Sequence, residues 1–223
     1  QRQANAAVAA LRLGAGDHVW PLLKHSPDPS LRTWIIHRLS PQGASADQIV
    51  ERLSVESDVS IRRALILILG EYPPDSVPDR QGLSEQLLKF YREDPDAGIH
   101  GAAGWVLRQW GHSEALAGID KELATGQVEG DRQWYVTRTQ QHTFSVLPGP
   151  VTFLMGSPLT EQDRVINESL HRRRIGQSFA ISRTEVTVDQ FQEFLRQSPG
   201  VRHGYTRKYA PDPSCPQISV TWY

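Results

Sequence analysis

The sequence predicts an α+β chain in two parts. The front half is all-α and built of helix-pair repeats; the back half mixes strands with a helix. Two observations predict this. Three front segments align on an aspartate and carry helical apolar spacing. Beyond about residue 133 the apolar residues fall into short runs and alternations, the period of strands. Composition agrees: 223 residues allow one or two domains, and 39% apolar with 22% charged suits a globular chain.

The aligned segments run from Asp28 to Leu39, Asp58 to Leu69 and Asp96 to Leu107. Leu31, Ile61 and Ile99 coincide, as do Arg32, Arg62 and His100, and Leu39, Leu69 and Leu107. Each segment reads as a helix. In the second, Ile61, Leu65, Ile68 and Leu69 share one face. Each aspartate stands where its carboxylate can accept from free amides of the first turn. Upstream of each lies another apolar stretch: Val19 to Leu23, Ile49 to Leu53, and Leu83 to Tyr91. The unit is therefore helix, tight turn, helix. Pro27, Pro29, Pro73, Pro74 and Pro78 fall between helices or at their ends. Ala4 to Leu13 reads as the tail of an earlier repeat. One helix pair cannot bury its apolar face, whereas stacked pairs can.

Gly111 to Gln133 is a transition, with a short helix over Leu116 to Leu123. Trp134 to Val136 and Thr143 to Leu147 predict a hairpin. Pro148-Gly-Pro150 is a turn, and Val151 to Met155 a further strand. Ser178 to Ile181 predicts another. Val188, Phe191, Phe194 and Leu195 mark a helix, with Thr187 and Gln190 spaced as a capping box. Ile218 to Trp222 alternates as a last strand.

Lys and Arg number 24 against 25 Asp and Glu, a net charge of -1. That excludes a strongly basic nucleic-acid binder at whole-chain level, and no nucleic-acid partner is expected. The longest apolar run, Ala64 to Leu69, falls far short of the ~20 residues of a membrane span. With one cysteine, Cys215, neither an internal disulfide nor a four-thiolate zinc site can form. No zinc-protease helix, nucleophile elbow or P-loop occurs. His37 and His100 read as inter-helix polar contacts. His171 to Arg174 could hold an anion, but an exposed strand junction paired with Glu161, Asp163 and Glu168 is the simpler reading. Arg202, His203, Tyr205, Arg207, Lys208 and Tyr209 mix basic and aromatic residues, and read as a polar loop before the last strand. Asn167 to Ser169 fits a glycosylation sequon.

Two resemblances follow from these residues. Over about residues 1 to 111, the paired helices and the Asp-x-x-(Leu/Ile)-Arg pattern resemble HEAT-type repeats. From 143 to 223 the chain carries Phe153-Leu-Met-Gly-Ser-Pro158, then Glu161, Arg164 and Glu168. His171-Arg172, Phe179-Ala-Ile181, Glu185-Val-Thr187, Phe191 and Pro216 to Tyr223 follow in order. This resembles the opening third of the formylglycine-generating enzyme (sulfatase-modifying factor) family. The resemblance implies a mixed α+β, C-type-lectin-like fold. It implies that Phe153, Phe179 and Phe191 fill the core, and that Glu185 and Thr187 shape a strand-to-helix turn. Characterised members oxidise a sulfatase cysteine with oxygen and copper held by a cysteine pair. Relatives carry out iron-dependent sulfoxide synthesis, and many have no established catalysis. The family's cysteine pair lies later in its domain, and Cys215 does not match it. No catalytic, cofactor-binding or metal-binding residue is therefore assigned, and copper is expected only in a full-length member.

The expected organisation is a HEAT-like solenoid over 1-125 and a truncated formylglycine-generating-type domain over 134-223. The chain reads as a non-catalytic fragment of a bacterial multidomain protein. The repeats would bind a protein partner or act as a spacer. The alternative is a non-catalytic binding module, such as the sensor part of a serine/threonine protein kinase.

Overall fold

The structure is a computed structural model that describes residues 2–161, 163–201 and 208–220. It is mixed α+β, with eight α-helices and two small antiparallel sheets among the described residues. The chain divides into two compact units. One is Gln1–Leu123 with Val128–Arg132; the other is Ala124–Gln127 with Gln133–Tyr223.

The first unit holds α1 (Arg2–Arg12), α2 (Ser30–Leu39), α3 (Ala46–Val55), α4 (Val59–Gly70), α5 (Arg80–Glu93), α6 (Ala97–Gln109) and α7 (Ser113–Glu122). The repeated aspartates start helices. Asp58 caps α4, accepting from the Ser60 and Ile61 amides at 2.9 and 3.1 Å. Asp96 caps α6 through the Ile99 amide at 2.7 Å. Asp28 sits one residue further out; Pro29 takes the cap position and Asp28 accepts from the Ser30 amide at 2.9 Å.

α1 packs on α2, α2 on α4 and α4 on α6, which makes a row; α3 and α5 pack behind α4 and α6. The apolar spacing of α4 predicts one buried face. In fact Ile61, Ala64, Leu65, Ile66, Ile68 and Leu69 are all buried. The reason is position, because α4 has neighbours on three sides. The stretch Val19 to Leu23 forms only a short 3-10 turn at Trp20–Leu23. Lys24 is already extended, and Pro27 and Pro29 follow, so no longer helix develops. Tyr72 reaches back from the end of α4 to donate to the Ala44 carbonyl at 2.9 Å. Its burial pushes the phenol up to about 12.

The second unit holds β1 (Trp134–Val136), β2 (Thr143–Leu147), β3 (Val151–Met155), β4 (His171–Ile175), β5 (Phe179–Ser182) and α8 (Val188–Gln197). β1, β2 and β5 form one antiparallel sheet in that order; β3 and β4 form a separate ribbon. The β1–β2 hairpin sets Tyr135 opposite Phe144, and their rings stack at 5.6 Å. α8 has its capping box. Thr187 accepts from the Gln190 amide at 3.3 Å, and Gln190 accepts from the Thr187 amide at 3.0 Å.

Three expectations for this unit change. Phe191 is buried, but Phe153 is 41% exposed on the open ribbon and Phe179 is half-buried. Arg172, Arg173 and Arg174 lie on β4 without an ion pair among the described residues. Glu168 instead accepts from the Ser157 hydroxyl at 2.9 Å. Ile218 to Val220 form no strand. Ser219 takes a φ of 60°, which breaks extended pairing, and the one bridge nearby joins Thr187 to Pro216. Thr221 to Tyr223, the rest of that expected strand, lie outside the described residues, as do Arg202 to Arg207.

Candidate functional site

His37, His100 and His142 settle into structural contacts. His37 of α2 meets Glu71 at the end of α4 at 3.0 Å, so it bridges two helices of the row. His100 is fully buried in α6, stacked on Tyr91 at 4.1 Å, with Nδ1 2.6 Å from the Tyr91 carbonyl. A carbonyl only accepts, so His100 donates from Nδ1. The Tyr91 hydroxyl donates in turn to Asp120 of α7 at 2.5 Å. Gly104 leaves room for this ring, since a Cβ there would run into it.

His142 looks most like a catalytic group. It is buried, and its Nε2 lies 2.7 Å from the Ser182 hydroxyl and 3.0 Å from that of Thr184. However, Ser182 spends its proton on the Thr184 carbonyl. That leaves Ser182 an acceptor towards His142 rather than an activated nucleophile. The cluster fastens the end of β5 to the β1–β2 hairpin. Burial, and to a lesser degree the nearby Arg183 charge, lowers the His142 pKa. A His depressed in the folded state is more protonated when unfolded. Its stabilising contribution is full above the unfolded value of about 6.5 and is lost as pH falls from there through the folded value. An NMR titration of the intact chain should place His142 below about 6.5; a value at or above it would contradict this geometry.

The donor set does not fit a two-thiolate copper site. The sequence has one cysteine, and such a site needs two soft ligands on one ion. Cys215 is half-buried, and its carbonyl accepts from the Val188 amide at 2.9 Å, so the segment supports the start of α8. Lys208 and Tyr209, the described part of the basic-aromatic run, pair with each other at 5.2 Å.

No family model, curated protein or solved structure matches the chain.

The strongest candidate surface is the outward side of the helix row. Consecutive helices are fastened there by side chains of one repeat reaching the helix start of the next. Lys24 pairs with Asp58 at 3.1 Å, and Arg32 donates to the Ser60 carbonyl at 2.8 Å. Arg63 pairs with Asp96 at 2.7 Å, and Arg62 with Asp94 at 3.5 Å. His37, Leu67 and Trp105 stand at the same repeat position on α2, α4 and α6. Trp105 crosses the Gly70 backbone, where any Cβ would strike the indole; Arg63 likewise crosses Gly98. Leu67 and Trp105 are half-exposed, and Arg63 and the exposed Arg108 each stand one turn away from them on the same helices. Sequence reasoning singled out His37 alone. The repeat alignment could have found the others, because they stand at the same repeat position.

Proposed function

We propose that the first unit is a HEAT-like solenoid that recognises a protein partner through the α2–α4–α6 face. We further propose that the second unit carries the opening part of a formylglycine-generating-enzyme-type, C-type-lectin-like domain and is not itself catalytic. The repeat-to-repeat fastening supports the solenoid reading, since it orders identical positions of successive helices into one continuous surface. The half-exposed Trp105, flanked by arginines, carries the recognition reading. Trp and Arg are the residues on which interface energy concentrates. The Thr187 capping box directly after Glu185 supports the family reading.

Affinity capture from cells that make the protein tests recognition. A discrete partner should be retained by the parent chain and by a Glu85→Ala variant on α5. It should be lost on Trp105→Ala. Equal retention by all three would overturn the face assignment. For the second unit, the chain is incubated with a sulfatase-motif peptide, copper and oxygen. Mass spectrometry should find the cysteine unchanged; conversion above background would overturn the non-catalytic reading.

A further inference from the structure

The β3–β4 ribbon is the most solvent-exposed structured element of the second unit. Register pairs Thr152 with Arg174, Phe153 with Arg173, and Leu154 with Arg172. Alternation therefore puts Arg172 and Arg174 on one face and Arg173 with His171 on the other. All four side chains are exposed, and so are Phe153, Leu154 and Met155 opposite them. Among the described residues, β4 pairs with β3 alone, and its outer edge meets no strand. An open edge offers unpaired amides and carbonyls to any extended chain.

We propose that the outer edge of β4 accepts an extended acidic segment of a partner protein as an added strand. Charge decides the kind of partner. A second copy of β4 would set arginine against arginine, which is destabilising across a strand pair. A flat anionic surface would meet the arginines of only one face. A strand laid alongside alternates with the same period as β4, so its acidic side chains sit beside the arginines on both faces. This inference stands apart from the helical-repeat reading, because it uses only the second unit.

The test uses the full chain and a labelled peptide of about seven residues that repeats Glu-Glu-Val, so that acidic side chains fall on both faces, read by fluorescence anisotropy. Saturable binding is expected, weakening as salt is raised. The same composition with a central proline should fail to bind, because proline removes a ladder donor. Arg172→Gln with Arg174→Gln should weaken binding about tenfold. Both positions are exposed, and circular dichroism checks that the variant keeps its fold. Hydrogen exchange should show β4 amides newly protected by the peptide. No binding of the Glu-Glu-Val peptide would overturn the proposal. So would equal binding of the proline peptide, or displacement of the Glu-Glu-Val peptide by anionic vesicles or a single-stranded oligonucleotide at lower concentration.

Discussion

Leu65→Ala is expected to destabilise the first unit by about 3–4 kcal/mol. Leu65 is fully buried on α4, the helix that touches α2, α3 and α6. Truncation removes apolar contacts and leaves a void that three neighbouring helices cannot all collapse into. That is a large share of the 5–15 kcal/mol that folded domains hold in reserve. Chemical denaturation followed by helical circular dichroism measures it. Leu13→Ala is the control, because Leu13 is 85% exposed and should change stability by under about 0.5 kcal/mol. A loss below about 1 kcal/mol for Leu65→Ala would mean that α4 is not the centre of the core.

Asp58→Ala is expected to cost about 2 kcal/mol at neutral pH, the upper end for loss of a helix cap. Asp58 does more than cap. It accepts from the Ser60 hydroxyl at 2.7 Å and pairs with Lys24 of the preceding repeat at 3.1 Å. The Ser60 hydroxyl, the Ile61 amide, Lys24 and the Ser60 amide together hold its carboxyl well below the usual carboxylate range. A depressed carboxylate stabilises the fold fully above its unfolded value of about 3.9. The contribution is lost as pH falls through the folded value. The gap between parent and Asp58→Ala should therefore be constant from pH 7 to about pH 5 and shrink in stronger acid. A gap that widens on acidification would refute the assignment.

What the sequence made legible was local. A helix cap at Asp58 or Asp96 and a capping box at Thr187 depend on residues two or three positions away, and spacing shows them. Burial set by distant neighbours was hidden. α4 reads as amphipathic, yet position makes it buried almost all round. Val19 to Leu23 reads as helix, but the extended Lys24 confines it to a 3-10 turn. Ile218 to Val220 alternates like a strand, and the left-handed Ser219 prevents one. The surface patch at Leu67 and Trp105 was hidden for a related reason. Its residues come from separate helices, and only stacking brings them together. The arginines of β4 were legible as a cluster, but that they meet no acidic partner among the described residues depends on where the preceding loop runs.

The fastening between repeats has a consequence for how such a chain can change over generations. The four bonds at the helix starts each run one step, from a basic side chain of one repeat to the start of the next repeat's helix. The middle repeat thus carries both donors for its successor, Arg62 and Arg63, and acceptors for its predecessor, Asp58 and the Ser60 carbonyl. A duplicated or deleted repeat would bring matching ends with it, and the seam would close with the bonds already present. Chain length in the first unit is therefore free to drift in whole repeats, while the aspartate that receives the bond at each helix start is not free to change.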